Sequence, residues 1–238
     1  MTVLYEDNHI IAVSKTCHEI VQGDKTGDVP LSDIVKAYIK NKYNKPGEVF
    51  LGVTHRLDRP TTGVVLFART SKALSRLNEM FKSHEKIKKT YWAIVENMPI
   101  NYPCDQAVRL ENYLWKNEKQ NKSFVVKPNI KEAKRAVLTY KPIAQGERYT
   151  LLEINLETGR HHQIRCQLAA IGHPIKGDLK YGAKRSNQDG GISLHARTIE
   201  FVHPVSKQLI SITAPVPDET LWRAMENQVL KCKKSIRL

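Results

Sequence analysis

The sequence predicts an α+β fold built on a large mixed or antiparallel sheet. Three observations carry that expectation. Apolar segments of strand length outnumber segments with helical spacing. The connections are mostly too short for regular strand–helix–strand crossovers. No linker rich in Pro, Gly or Ser, no repeat and no low-complexity stretch divides the chain. Residues 1–238 therefore read as one domain, with 217–238 as a C-terminal helix and basic tail.

Leu4 to Val13, with Asp7-Asn8 between two apolar stretches, predicts a hairpin. Leu31, Ile34, Val35, Tyr38 and Ile39 recur at helical spacing around Ser32, a helix start. After a polar turn at 41–47 come a Pro- and Gly-punctuated loop at 52–63 and the apolar strand Val64–Phe67. Leu74, Leu77 and Phe81 mark an amphipathic helix capped by Thr70 or Ser71. Residues 90–95 are apolar on both alternating faces, as in a strand buried on both sides. Several short strands are expected over 103–150, then a strand at 151–156. A helix from His162 to Ile171 is closed by Gly172, which tolerates positive φ. Strands at 194–202 and 209–213 precede a tail helix carrying Leu221, Trp222, Met225 and Val229.

Lys and Arg number 38 against 24 Asp and Glu, a net charge of +14. Such a surplus favours a polyanionic partner, nucleic acid before an anionic membrane. The N-terminus lacks the basic and apolar segments of an export signal, and no apolar run reaches the ~20 residues that span a bilayer. The expectation is a cytoplasmic chain with no membrane partner. Cys17, Cys104, Cys166 and Cys232 show no metal or disulfide spacing and are expected to be free thiols.

The motif inventory excludes several chemistries. There is no G-x-G-x-x-G, no phosphate-binding P-loop and no G-x-S-x-G elbow. The dipeptides His18-Glu19 and His84-Glu85 do not complete H-E-x-x-H, and His162 with Cys166 has no further ligand at usable spacing. No metal site is expected. Two unusual segments remain. One is His55-Arg-Leu-Asp-Arg-Pro-Thr-Thr-Gly63, a carboxylate between two arginines in a tight loop; alone it reads first as a salt bridge in a surface turn. The other is Thr158-Gly-Arg-His-His-Gln-Ile-Arg165, cationic and hydrogen-bonding side chains where a strand becomes a helix. Backbone N–H groups at a helix start and bidentate arginines suit phosphate, although a solvated basic helix looks the same.

Taken together the two segments resemble the RluA-type family of RNA pseudouridine synthases. Residues 55–67 are similar to its His-Arg-Leu-Asp signature followed by Thr-Ser/Thr-Gly and an apolar strand. Residues 158–165, Gly172-His-Pro-Ile175, Gly177-Asp178 and Tyr181-Gly182 resemble its downstream block. Lys89-Thr-Tyr-Trp-Ala-Ile-Val95, Leu194-His-Ala196, Phe201-Val-His-Pro204 and Ala214-Pro215 resemble its remaining strands, so the likeness spans about residues 1–217. The chain departs from the pattern at Lys15-Thr-Cys-His18, at His161 and at Thr62. The expectation is a stand-alone catalytic domain, without the small N-terminal RNA-binding domain that many relatives carry.

The resemblance implies a sheet flanked by helices and loops with a central RNA-binding cleft, and conversion of uridine in rRNA or tRNA to pseudouridine without a cofactor. It implies Asp58 as catalytic carboxylate, Arg165 as its partner, and Tyr91 against the uracil. It further implies RNA contacts from Arg56, Arg160, His162 and Thr61, with Arg56 filling the space left by a flipped base, in a monomer with no obligatory protein partner. Two other readings compete: a non-catalytic RNA-binding protein on the same scaffold, and a metal-dependent RNA enzyme. The second would need clustered carboxylates or His and Cys ligands.

Overall fold

A computed structural model describes residues 1–24, 26–83, 86–96, 98 and 106–235. His84-Glu85, Cys104 and the end of the basic tail lie outside the described residues. In chain order the strands and helices are β1 (Thr2–Glu6), β2 (Ile10–Lys15), α1 (Leu31–Lys42), β3 (Gly52–Val53), β4 (Thr62–Ala68), α2 (Ser71–Ser83) and β5 (Ile87–Glu96). They continue with β6 (Val108–Asn117), β7 (Lys122–Val126), β8 (Lys134–Gln145), β9 (Tyr149–Leu156) and α3 (Gln163–Ala170). Last come a 3₁₀ turn (Leu179–Tyr181), β10 (Leu194–Val202), β11 (Leu209–Thr213) and α4 (Thr220–Ser235). The class is α+β, as the segment pattern predicts.

The chain divides into two compact units, Met1–Lys89 with Ala196–Pro215, and Thr90–His195 with Val216–Leu238. In the first unit, β1 and β2 form the expected hairpin, and Asp7 closes its turn by accepting the N–H groups of His9 and Ile10. β2 pairs antiparallel with β4, β3 pairs antiparallel with the end of β4, and β10 pairs antiparallel with β11. Ile10–Val13 and Val65–Ala68 are fully buried because both faces of these strands are apolar, and Leu31, Val35, Ile39, Ala73 and Leu77 supply the buried helix positions. α1 starts at Leu31 behind Pro30 with no side-chain cap, whereas Thr70 caps α2 by accepting the Ala73 N–H.

The second unit is an antiparallel sheet in the order β5-β9-β8-β6-β7. Where several short strands are expected between 103 and 150, the described residues form β6, β7, the start of β9 and a β8 that runs for 12 residues. Pro142 sits at a register shift in β8, where its missing N–H costs no regular ladder bond. Trp222, Met225 and Val229 of α4 pack on Trp92, Ile94 and Leu151. Burying each of these side chains contributes about 1.5–3 kcal/mol. α3 ends at Ala170 and Gly172 follows at φ +84°, the expected stop.

Candidate active site

In the first unit, residues 54–61 form a loop pinned at both ends. Thr54 Oγ1 donates to the Leu66 carbonyl at 2.6 Å, and His55 Nε2 accepts the Leu66 N–H at 3.0 Å. The His55 ring stacks on Phe81 of α2 with centroids 4.8 Å apart. Burial, with a lesser contribution from Lys89, pulls the His55 pKa down to about 3, so the imidazole is neutral and its proton resides on Nδ1. Leu57 is buried, and a turn closes when Thr61 N–H reaches the Asp58 carbonyl at 3.0 Å. Asp58 is partly exposed and Arg56 is exposed, while Thr61 is 2% exposed. Arg59 pairs with Asp28 at 2.7 Å.

The underside of this turn holds a feature that motif reading missed. Lys15, the last residue of β2, is 1% exposed. Its ammonium donates to the carbonyls of Thr16 (2.9 Å), Asp58 (3.2 Å), Arg59 (2.8 Å) and Thr61 (2.8 Å). Burial draws its pKa down to about 8, which leaves it protonated at neutral pH. Three backbone carbonyls of the Asp58 turn thus converge on one buried cation. Gly63 lets β4 leave the loop beside β10: its φ is +116°, and a Cβ there would stand 2.3 Å from the Ala196 carbonyl oxygen.

In the second unit, Tyr91 lies on β5 opposite Ile154 and is 9% exposed. Arg165 of α3 is 5% exposed. Its Nε and Nη2 donate to Asp178 Oδ2 and Oδ1 at 2.6 and 2.8 Å, a buried bidentate pair. Its guanidinium lies 5.1 Å from the Tyr181 ring centroid. Tyr181 Oη accepts the Ser123 N–H at 2.8 Å and lies 3.0 Å from His162 Nδ1. Burial raises the Tyr181 pKa to about 12, so the hydroxyl keeps its proton. His162 is held neutral, its pKa drawn down to about 2 by burial first and then by Arg165 and His161. It stands at φ 51° just before α3 and is 8% exposed.

The structure therefore gathers Asp58, Thr61 and Arg56 on one loop, and His162 and Arg165 on one helix start. Arg160 is exposed, with Nε donating to the Arg135 carbonyl at 2.9 Å. Asp178 was legible as part of a Gly-Asp pair, but its tie to Arg165 was not. Among the described residues no three His, Cys, Asp or Glu side chains are grouped as metal ligands. Among the described residues Cys17, Cys166 and Cys232 form no disulfide, and burial raises the Cys166 thiol to about 11. No helix among the described residues is long and apolar enough to cross a membrane.

The motifs and the fold define a class that comparison with known proteins establishes. A family model described as RNA pseudouridylate synthase matches residues 9–170, and the chain belongs to that family, in its RluA-type branch. It is an isomerase of RNA uridine. Among curated relatives, tRNA pseudouridine synthase C of Vibrio cholerae serotype O1 is 31% identical over 94% of this chain and 94% of its own length. Ribosomal large subunit pseudouridine synthase D of Xylella fastidiosa is 30% identical over 92% of this chain and 67% of its own. The solved structure of human RNA pseudouridylate synthase domain containing 4 superimposes with a TM-score of 0.75 at 21% identity, covering 96% of this chain and 92% of that one. That likeness shows the shared fold.

Proposed function

We propose that this chain converts a specific uridine of tRNA or large-subunit rRNA to pseudouridine, with Asp58 as the catalytic carboxylate. The substrate class follows the relatives, which are named for tRNA and for the large ribosomal subunit. One observation carries the assignment of Asp58. A buried ammonium, Lys15, is spent on fixing the backbone of the turn that carries it. Burying a cation is costly, and a surface salt bridge needs no such support.

The reaction breaks the bond between ribose C1′ and uracil N1, turns the base, joins C1′ to C5 and moves the C5 proton away. No electrons are exchanged with an outside partner and the product is an isomer. Asp58 supplies the carboxylate that acts as nucleophile or base. Arg165 presents a guanidinium oriented by its bidentate pair with Asp178. In this reading Arg165 in turn orients Asp58. Tyr91 stacks on the uracil, and exposed Arg56 enters the RNA stack as the target base leaves it, a step that costs a few kcal/mol. Of the other expected RNA contacts Arg160 is exposed and faces the RNA, while Thr61 and His162 are buried and act from behind the surface, His162 through its bond to Tyr181.

The test incubates the purified chain with unmodified tRNA and 23S-type rRNA transcripts and maps pseudouridine chemically. New pseudouridine at one or a few fixed positions is expected. Transcripts that are bound but stay unmodified would favour a non-catalytic RNA-binding protein.

A further inference from the structure

The second unit carries a groove of about 480 Å³ whose lining includes Trp115, Lys116, Lys134, Arg160 and His161. This volume suits one nucleotide-sized ligand. The surrounding segment, residues 108–135, holds eight Lys and Arg against three Glu, a surplus of five positive charges on 28 residues. Two of those glutamates, Glu118 and Glu132, also line the groove, and Glu118 is tied to Lys116 at 2.7 Å.

The aromatic walls are each in contact with neighbouring side chains. Trp115 faces Phe124 across the β6–β7 pair, ring centroids 6.4 Å apart. His161 lies over His162 with centroids 3.8 Å apart. Its Nδ1 is 2.9 Å from Ser123 Oγ and its Nε2 is 3.0 Å from Asn121 Oδ1, so both ring nitrogens are anchored. Cations beside preset ring faces match the two parts of a nucleotide, phosphate and base.

We propose that this groove binds an unpaired nucleotide of the RNA substrate, its base against Trp115 and His161 and its phosphate at Lys134 and Arg160. The inference rests on the reading of the substrate as RNA and adds a contact point beyond the reacting uridine.

Trp92 and Trp222 are 5% and 2% exposed, which leaves Trp115 as the partly exposed tryptophan of the three. Intrinsic fluorescence of the full chain is titrated with a short single-stranded oligouridylate, an RNA duplex of equal length, and polyglutamate. Oligouridylate should quench the emission and the other two should not. Trp115→Phe should abolish the quench while the affinity, read by filter binding, stays within about threefold, because a ring still stacks. Trp115→Ala should weaken binding about tenfold (~1.4 kcal/mol). Lys134→Gln should weaken it and lower the salt slope by about one. Absence of quenching by oligouridylate, or equal quenching by polyglutamate, overturns the assignment. Pseudouridine formation in the transcripts is read in parallel. Isomerisation without quenching removes the groove and keeps the synthase; quenching without isomerisation keeps the groove and removes the synthase.

Discussion

Replacing Lys15 by Met preserves the length of the side chain and deletes the charge under the Asp58 turn. Four carbonyls lose their shared donor. Each hydrogen bond from a charged donor contributes about 1.5–3 kcal/mol net, and each buried acceptor left unpaired costs about 1–3 kcal/mol. An ammonium has three protons, so the gross loss is about 5–9 kcal/mol. Removing the buried cation also relieves its desolvation penalty of several kcal/mol. A net destabilisation of about 2–4 kcal/mol remains. In a chain of this size each kcal/mol lowers Tm by roughly 2–4 °C, so Tm should fall by roughly 5–15 °C. Turnover should fall further than the folded fraction does. Displacing a catalytic group by about 1 Å costs on the order of 100-fold. The assay is thermal unfolding beside single-turnover kinetics at a temperature where the variant is folded. An unchanged Tm with turnover within about tenfold of wild type would refute the idea that Lys15 holds the turn.

The buried ion pair and the buried histidines give two further expectations. Asp178→Asn leaves Arg165 buried without its anion and should cost about 3–5 kcal/mol of stability, read by denaturant unfolding, with turnover lost even where the variant is folded. A stability change under about 1 kcal/mol would contradict the pair's importance. Between pH 6.5 and 3, His55 and His162 resist protonation in the fold but take up protons when unfolded. The unfolded state then binds more protons, and stability must fall as pH drops below 6.5. At pH 5 each contributes roughly 2 kcal/mol of loss, at 1.36 kcal/mol per pH unit. His55→Gln should flatten the unfolding-against-pH curve by about half; an unchanged slope would place the acid sensitivity elsewhere.

Much of the fold was legible because strands and helices leave periodic traces. Both faces of residues 64–67 and 90–95 are apolar, and Gly172 marks a helix stop, so β4, β5 and the end of α3 could be placed from sequence. The long strand β8 was not, since Pro142 breaks the pattern and only a bulge makes it tolerable. The loop carrying Asp58 and the block carrying Arg165 stood out by motif. Their supports did not. Lys15 looks like any of the basic residues until β2 delivers it beneath a turn 43 residues later. Asp178 sits 13 residues from Arg165, too far for any local spacing rule to link them. In sequence His161 and His162 stand in a run of cationic and hydrogen-bonding side chains. In the fold His162 is buried and neutral, and His161 is held by Ser123 and Asn121.

The measurement that bears most directly on Asp58 as the catalytic carboxylate is tritium release from [5-³H]uridine RNA by Asp58→Asn, with filter binding on the same preparation. Asn preserves the shape of the side chain and removes the anion, and the turn's backbone bonds to Lys15 involve carbonyls the substitution does not touch. Release should fall to background with RNA affinity nearly unchanged. Release within about tenfold of wild type, a barrier change of ~1.4 kcal/mol, would show that another residue performs the chemistry.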